Sequence, residues 1–305
     1  MRRLAFVVSL VGATLTAGSA MAVEVLVSIK PLHSLVASVM GQTGTPTLLL
    51  DGAADPHSYA LRPSDAQALR RAQLVFLAGG GLETFLDKPL RSLSKAPTVV
   101  RMADIPGITP LQPREGGLWE PDEDDDHGHH GHDDTVDPHL WLDPVNARAF
   151  VLAAGEALAA VDPTQAATYR TNAQATAQRI EILDSELGQM LRPVQRVPFL
   201  VFHDAFQYLD HHYGLTAAGS VSIDPERQPG AKRVKALRDR IKAGGIACML
   251  RQPQFSPKLV DSLVSGLPVR VGVLDDLGAT VPAGPEAYDT LLRNAATALR
   301  DCLAG

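Results

Sequence analysis

The sequence predicts an α/β protein of two lobes, each a mainly parallel sheet flanked by helices, with one long helix joining the lobes. Short runs of β-branched and aliphatic residues alternate with helical patterns in both halves of the chain, which is typical of parallel βαβ units. A helical pattern of about 28 residues, roughly 42 Å long at 1.5 Å per residue, separates the halves. The length of 305 residues suits one or two domains.

The first 22 residues are predicted to be a signal peptide and not part of the fold. Two arginines precede an apolar run from Leu4 to about Leu15, and Ala-Met-Ala at 20–22 forms a cleavage site. An amphipathic anchor is the alternative, but the run is too short to span a bilayer and ends in small residues. No other stretch is expected to cross a membrane. The mature protein is therefore predicted to begin at Val23, outside the cytoplasm.

The N-terminal lobe is predicted over residues 23–161. Its strands are expected at 23–29, 47–50, 74–78 and 98–100. Its helices are expected at 31–40, 63–71, 83–86 and 144–161. Ligands of parallel sheets lie beyond the carboxyl ends of the strands, so the loop 51–59 after the second strand is a candidate binding segment.

The linking helix is predicted over residues 162–192. Asp162 and Pro163 supply an N-cap and a proline at the first helical position, and Pro193 ends the pattern. A coiled coil is the alternative, but the expected order of charges is missing. The C-terminal lobe, 193–305, repeats the alternation. Its strands are expected at 197–202, 219–223, 246–250 and 269–274, and its helices at 204–208, 231–243, 257–265 and 285–303.

The acidity of the chain belongs to one segment. The formal charge is −6, and removal of the signal peptide with its two arginines makes it −8. Seven acids lie within residues 122–134, so the rest of the mature chain is close to neutral. There is no basic field that would attract nucleic acid.

Histidine is concentrated in the same region. Five of the ten histidines lie within residues 122–144, and His127, His129, His130 and His132 occupy an acidic, glycine-spaced tract with nothing apolar to bury. This tract predicts a solvated loop that acts as an auxiliary metal site, although a loop without a role is the alternative. His33, His211 and His212 are expected to be surface or helix residues.

Three isolated histidines predict a stronger site. His57 and His139 each end an Asp-Pro-His tripeptide, and His203 follows an apolar strand and precedes Asp204. Neutral imidazole is a good zinc ligand, and a nearby carboxylate can fix its tautomer. One such histidine is more often structural, but three beside a histidine tract favour a single zinc-type site.

Other chemistry is less well supported. The glycines at 79–81 follow a strand but lack the spacing of a dinucleotide or phosphate loop, so a tight turn is expected. Hydrolase motifs such as G-x-S-x-G and H-E-x-x-H are missing from the sequence. A secreted zinc enzyme stays an alternative, because three histidines with an open position also form catalytic sites.

Two cysteines, Cys248 and Cys302, are the only ones in the chain. In an exported protein such a pair predicts a disulfide, which would close 54 residues of chain. Two free buried thiols are the alternative. A metal site formed by these cysteines is less favoured, because neither has a partner at ligand spacing.

Six segments together resemble the periplasmic zinc-binding proteins of ABC importers, the ZnuA type. In chain order they are GAADPHSYALRPSD, TVDPHLWLDPVNAR, VFHDAFQYLDHHYGL, SIDPERQPGAK, ACMLRQPQFSP and VLDDLGA. The likeness covers essentially the whole mature chain. Two departures stand out. The histidine tract is short for a zinc-binding member, and Gln252 and Asp276 replace a glutamate and a proline expected in these segments.

The resemblance implies a non-enzymatic receptor with a rigid linking helix and zinc in the cleft between its lobes. By position, His57, His139 and His203 match the three histidine ligands of the family, and Asp275 matches a fourth ligand used by manganese- and iron-binding relatives. Zinc members fill that place with water or another carboxylate. Those relatives carry glutamate where His203 stands, so zinc is the expected cargo and manganese or iron the alternative.

The resemblance also implies partners and a location. The expected partner is an ABC permease in the inner membrane, with an accessory periplasmic zinc chaperone as a further possibility. The receptor is expected to be a periplasmic monomer. The cysteine pair resembles the disulfide of enterobacterial members.

Overall fold

The computed structural model describes residues 23–52, 54–119, 136–222 and 229–304. The predicted signal peptide lies outside the described residues, and so does the histidine tract at 122–134. Of the six family-like segments, only the one spanning 222–232 has most of its residues outside the description.

Two four-stranded parallel sheets form the lobes. The N-terminal sheet contains β1 (Val25–Ile29), β2 (Thr47–Leu50), β3 (Leu74–Leu77) and β4 (Thr98–Arg101). The C-terminal sheet contains β5 (Phe199–His203), β6 (Ala217–Ser222), β7 (Cys248–Arg251) and β8 (Arg270–Val273). The strand orders are β2-β1-β3-β4 and β6-β5-β7-β8, so the two sheets share one topology. Each order places the first strand of its lobe in the interior of the sheet.

Nine helices are present in the described parts of the chain. They are α1 (Lys30–Met40), α2 (Pro63–Arg71), α3 (Asp87–Arg91), α4 (Pro144–Val161), α5 (Ala166–Leu191), α6 (Gln207–Tyr213), α7 (Ala231–Lys242), α8 (Lys258–Val264) and α9 (Ala287–Ala304). The long helix α5 lies between the sequences of the two lobes, as predicted. The predicted fold class is confirmed by these sheets and this helix.

The largest hydrophobic cluster is shared by both lobes. It combines the inner faces of β1 and β5 with α1, α4, α5 and α9. Along α5 the buried positions recur at spacings of three and four, which matches one face of a helix. Smaller clusters cover the outer faces of the two sheets. Because one apolar core continues through both lobes, their relative position is fixed by packing as well as by the chain.

Helix α4 packs closely along α5. A Cβ on Gly155 would lie 2.8 Å from the Cβ of Ala173, so the two helices approach at a position where only glycine fits. Among the described residues, α4 is long and apolar enough to cross a membrane by length and composition alone, contrary to the expectation that no stretch beyond the signal peptide would be. Half of that helix is buried inside the protein, so it is a core helix.

A buried lysine connects the lobes at the cleft. Lys30 begins α1 and is 5% exposed. Its Nζ donates to the carbonyl oxygens of Gly278 and Val281, both at 2.9 Å, and lies 3.0 Å from the Asp51 carboxylate. Because β1 and β8 both end here, this contact holds the loop after β8 against the N-terminal lobe.

Two predicted helices are misplaced. The helix expected at 204–208 is Gln207–Tyr213 in the structure and shares only two residues with the prediction. The sequence predicted a helix at 83–86, but Thr84–Leu86 form a single 3₁₀ turn and the α-helix begins at Asp87. The buried Glu83 carboxylate accepts hydrogen bonds from the amides of Ala78 and Gly79, which folds the chain back before the helix can start. The local pattern could not show this tertiary use of Glu83.

Candidate metal centre

His203 is the last residue of β5, at the carboxyl end of an interior strand. The strand is buried throughout, and His203 itself is 5% exposed. It pairs with Ser222 of β6, so the backbone that carries its imidazole is held by the sheet. The side chain therefore enters the cleft from a rigid element.

His139 is positioned by its own tripeptide. The Asp137 carboxylate accepts a hydrogen bond from the His139 backbone amide at 3.0 Å and from its ring Nδ1 at 2.7 Å. This contact leaves Nε2 as the available ligand atom. The Pro138 backbone packs against Gly80, where a Cβ would approach the Pro138 Cα to 3.3 Å. All three glycines of the 79–81 turn have positive φ, consistent with the predicted tight turn.

His57 repeats the arrangement in the loop after β2. The Asp55 carboxylate accepts from the His57 backbone amide at 3.0 Å, the same contact that Asp137 makes with His139. The Asp-Pro-His tripeptide is therefore a local structure in which aspartate closes a turn that presents histidine. His57 is the most exposed of the three histidines, and it lies at the edge of the cleft.

The three imidazoles come together. Their ring centroids are separated by 5.1 to 5.6 Å, and one ligand nitrogen from each lies within 4.8 Å of the others. Ligand nitrogens around a tetrahedral zinc ion lie roughly 3.3 Å apart, given Zn–N distances of about 2.0–2.1 Å. Small side-chain movements would therefore bring all three onto one ion.

The electrostatic setting differs among the three rings. Burial lowers the pKa of His203, and the neighbouring His139 and His57 lower it further. Partial burial of its ring and the nearby His139 also lower the pKa of His57. Burial opposes the charged form of His139, but the adjacent Asp137 together with Asp276 and Asp204 raises the pKa of that ring overall. Two of the three rings are thus held as neutral imidazole, the form that binds a metal ion.

Buried carboxylates lie near the histidines without belonging to the group of close ligand atoms. Asp204 accepts from the Arg114 guanidinium at 3.0 and 3.1 Å, and Arg114 also donates to Asp210 at 2.9 Å. Asp276 accepts from the Gln252 side-chain amide at 2.7 Å. With Asp137, the site has three acids whose negative charge favours a dication, each engaged by another group.

Sequence reasoning did not identify Arg114. Its guanidinium stacks on Trp119 at 4.1 Å and reaches acids that follow it by about 90 residues. Arg114 stands on a segment after β4 that docks on the C-terminal lobe, since Leu118 packs against Gly219. An arginine-tryptophan pair so far along the chain from its acids carries no local signal.

Asp275 does not join the three histidines in this arrangement. Its carboxylate accepts from the backbone amides of Leu277, Gly278 and Ala279 at 3.0, 2.9 and 2.7 Å. The group of close ligand atoms found among the described residues contains His57, His139 and His203. The fourth ligand predicted at Asp275 stays a prediction.

The remaining predicted site residues lie elsewhere. Cys248 of β7 is bonded to Cys302 of α9, which confirms the predicted disulfide. The tract histidines lie outside the described residues. His33 is buried in α1 and donates to the Pro46 carbonyl, and His212 of α6 lies between the carboxylates of Asp143 and Asp184.

Comparison with protein families gives one match over nearly the whole described chain. The family described as ZnuA, zinc-uptake complex component A, periplasmic, matches residues 25–302. A Brucella abortus protein named high-affinity zinc uptake system protein ZnuA is 42% identical over 317 aligned residues, covering 94% of each chain. The protein of the same name from Paracoccus denitrificans is 36% identical and covers 92% of this chain and 91% of its own.

Solved structures give the same fold. A crystal structure of ZnuA has a TM-score of 0.77 and 25% sequence identity, covering 92% of this chain and 99% of that one. A ZnuA deletion mutant with zinc bound has a TM-score of 0.77 and 26% identity, with coverages of 92% and 98%. These comparisons agree with the resemblance carried by the six sequence segments.

Proposed function

Because the chain belongs to the family of periplasmic zinc-uptake components of the ZnuA type, we propose that it is a high-affinity zinc receptor. It collects Zn²⁺ outside the cytoplasmic membrane and delivers it to an ABC permease. Members of this family are substrate-binding receptors of importers and not enzymes. The proteins at 42% and 36% identity carry zinc uptake in their names.

The observation that supports zinc most directly is the convergence of three imidazoles at the cleft. His57 and His139 come from the N-terminal lobe and His203 from the C-terminal lobe, so one ion would tie the lobes together. Imidazole suits zinc, whereas manganese prefers carboxylate and carbonyl oxygens. An all-histidine group therefore favours zinc over the manganese or iron alternative. We propose these three residues as the ligands.

The proposed setting is the periplasm, where the signal peptide predicted at 1–22 would direct the chain. We propose that it acts as a monomer, with a membrane permease as its partner. A periplasmic zinc chaperone is proposed as an accessory donor. Size-exclusion chromatography with light scattering would test the monomer, since a dimer in both metal-free and zinc-loaded protein would exclude it.

Metal analysis of protein purified without added metal tests the proposal as a whole. We expect zinc to be the dominant metal, and titration of stripped protein to show one tight zinc site per chain. Zinc-dependent hydrolysis of ester or peptide substrates by the loaded protein would instead favour the enzyme alternative. Dominant manganese or iron would overturn the choice of cargo.

Zinc affinity is expected to fall as the pH is lowered. The raised pKa of His139 means that its charged form persists to higher pH than in an ordinary histidine, and zinc must displace that proton. His57 and His203 have lowered pKa values, so they stay neutral over the same range. Below about pH 6.5 the affinity should therefore drop close to tenfold per pH unit, the slope for one proton.

Competition with a chromogenic zinc chelator from pH 7.5 to pH 5 would measure this slope. Affinity that does not change down to pH 5 would show that carboxylates dominate the site. A slope near three would show that all three imidazoles compete with protons together.

The histidine tract is proposed as a weaker, separable metal site. His127, His129, His130 and His132 supply enough imidazole to wrap a zinc ion, but fixing the backbone of the solvated loop predicted from the sequence would cost about 1–2 kcal/mol per residue. That cost places its affinity below that of the cleft. Its acids add a diffuse attraction for cations, screened over about 8 Å at physiological salt. Its proposed role is to capture zinc when zinc is scarce.

Deletion of residues 122–134 tests this role. We expect the zinc stoichiometry to drop toward one per chain while the tightest dissociation constant stays the same, as measured by calorimetry. A matched control replaces the four tract histidines with glutamine and keeps every acid, which separates imidazole binding from electrostatic attraction. Loss of the tight site in the deletion would mean that the primary ligands were assigned to the wrong histidines.

A further inference from the structure

The aspartate that orients His139 is itself held by two other residues. The Asp137 amide donates to the carbonyl oxygen of Leu111 at 2.8 Å. The Asp137 carbonyl oxygen accepts from the hydroxyl of Tyr208, also at 2.8 Å. The same hydroxyl accepts from the amide of Leu111 at 2.9 Å. Asp137 and Leu111 are therefore paired directly on one side and through the phenol of Tyr208 on the other.

Tyr208 belongs to the opposite lobe from the turn that it holds. It lies in the first turn of α6, five residues after His203, and is 1% exposed. The Asp137-Pro138-His139 turn comes from the N-terminal part of the chain, before α5. One short segment of the C-terminal lobe thus supplies a proposed ligand, His203, and a contact to the turn that presents another.

The direction of the hydrogen bonds through Tyr208 is determined by the chemistry of its neighbours. A hydroxyl has one proton to donate, and the Leu111 amide can only donate to it, so its own proton goes to the Asp137 carbonyl. Burial raises the pKa of the Tyr208 phenol well above its ordinary value, so that proton is kept at neutral pH. Asp137 is then fixed at its amide and at its carbonyl, on both sides of the carbon that carries its carboxylate.

Leu111 is part of a docked segment and provides a fixed reference for this contact. Residues 109–119 follow β4 and lie against the C-terminal lobe. The Gln112 carbonyl accepts from the side-chain amide of Gln207 at 2.9 Å, and Arg114 donates to the Asp204 carboxylate at 3.0 and 3.1 Å. The bridge through Tyr208 therefore belongs to an interface that extends over several residues on each side.

The turn is buried, which makes the pairing of its backbone consequential. Asp137 is 4% exposed and His139 is 2% exposed. Buried amides and carbonyls are nearly always hydrogen-bonded, because leaving one unpaired costs free energy comparable to a lost hydrogen bond. Removing the Tyr208 hydroxyl would leave the Asp137 carbonyl and the Leu111 amide to move toward other partners. The Asp137 carboxylate would move with them, and it is this carboxylate that binds the Nδ1 of His139.

We propose that Tyr208 is a positioning residue of the metal centre, whose hydroxyl holds the Asp137 turn so that His139 presents its Nε2 to zinc. It acts through Asp137 and does not touch the ion. The assignment rests on the proposed zinc-binding function and adds a dependence to it. Because the hydroxyl and the turn come from different lobes, the site reaches its full affinity only when the lobes are docked on each other.

Two tyrosine-to-phenylalanine variants on the same helix test the assignment. Tyr208→Phe removes the bridging hydroxyl and keeps the ring. Tyr213→Phe is the matched control, because Tyr213 is 5% exposed and its hydroxyl donates to Asp184 at 3.0 Å, outside the histidine group. We expect both variants to lower the melting temperature of metal-free protein to a similar extent.

Only Tyr208→Phe should change metal binding. We expect zinc affinity to fall by about tenfold, the lower end of the range for partners that orient a ligand from outside the coordination sphere. The visible absorption of the Co²⁺-loaded protein should shift as well, because a rotated His139 ring changes the ligand field. Tyr213→Phe should keep both the affinity and the cobalt spectrum of the unmodified chain. Chelator competition gives the affinities.

A double-mutant cycle tests the route through Asp137. Asp137→Ala removes the carboxylate that binds His139 and keeps the backbone groups that Tyr208 and Leu111 hold. In that background Tyr208→Phe should cost little further zinc affinity, because the connection to His139 is already broken. An equal cost in both backgrounds would show that Tyr208 acts by another route, and the assignment would be wrong.

The remaining outcomes separate this assignment from the proposed function. If the unmodified chain fails to bind one zinc tightly, the proposed function is wrong. If it binds zinc but Tyr208→Phe keeps its affinity and cobalt spectrum, the proposed function stands and the positioning role is overturned. Equal losses of zinc affinity in Tyr208→Phe and Tyr213→Phe would also overturn it, since they would reflect a general loss of stability.

Discussion

Replacing His203 with alanine is expected to weaken zinc binding by well over tenfold. The substitution removes one of three proposed ligands and also the contribution of the C-terminal lobe to the histidine group. His203 ends a strand of the sheet, so its imidazole is presented by a rigid element. Calorimetry or chelator competition would measure the loss directly. Alanine at His57 or His139 should have an effect of the same order.

The zinc-induced rise in melting temperature provides a second, independent measure of the zinc affinity lost in His203→Ala. A ligand that binds only the folded state stabilises it by about 2.7 kcal/mol at a free concentration one hundred times its dissociation constant. The zinc-induced rise in melting temperature should therefore shrink strongly in His203→Ala. His211→Ala is the matched control, because His211 is exposed on α6 and lies outside the histidine group. Near-native affinity in His203→Ala would remove that residue from the site.

These three histidines could be proposed as ligands from the sequence because each is presented by a local structure. Asp-Pro-His occurs twice, and in both copies the aspartate accepts from the backbone amide of the histidine. Proline limits the backbone of the residue before it, so the turn is largely determined by three adjacent residues. His203 ends an apolar run whose strand could be recognised by composition. Local patterns of this kind can be recognised in a single sequence.

The groups that surround the three histidines could not be predicted in the same way. Lys30 contacts Gly278 and Val281 across about 250 positions of chain, and Arg114 reaches Asp204 across 90. Nothing near Lys30 in the sequence distinguishes it from a solvated lysine at the start of a helix. Its burial follows from how α1 and the loop after β8 meet, which is decided by the packing of the two lobes.

In the fold, too, features determined by local sequence were predictable and features determined by tertiary contacts were not. Strands and long helices were predicted within a few residues, because their hydrophobic periods extend over several turns or a whole strand. The prediction failed at 83–86, where a buried glutamate binds backbone amides of the preceding turn. A short segment holds too little periodic information to compete with one tertiary contact.

Removing the disulfide is expected to lower the stability of the protein by about 2–5 kcal/mol without changing its tight zinc affinity. Cys248 begins β7 and Cys302 lies near the end of α9, and their Cα atoms are 5.8 Å apart. The bond closes 54 residues of chain, for which the loop-entropy estimate is about 4 kcal/mol. It holds the last helix against the C-terminal sheet.

The position of the bond separates this effect from metal binding. Cys248 pairs with Phe199 at the start of β5, whereas His203 lies at the other end of that strand. The disulfide therefore lies at the amino end of β5, and the histidine group lies at the carboxyl end of the same strand. A Cys248→Ala, Cys302→Ala variant should melt several degrees lower when metal-free, yet bind zinc as tightly as the unmodified chain.

Denaturant unfolding of the double variant and of the unmodified chain, both stripped of metal, measures the loss of stability. Each single cysteine variant is a poorer comparison, because it leaves a thiol that can form bonds between chains. Alkylation of the unmodified chain under denaturing, non-reducing conditions should label no cysteine, and two labelled thiols would end the claim. A loss of zinc affinity in the double variant would mean that packing of α9 is transmitted along β5 to His203.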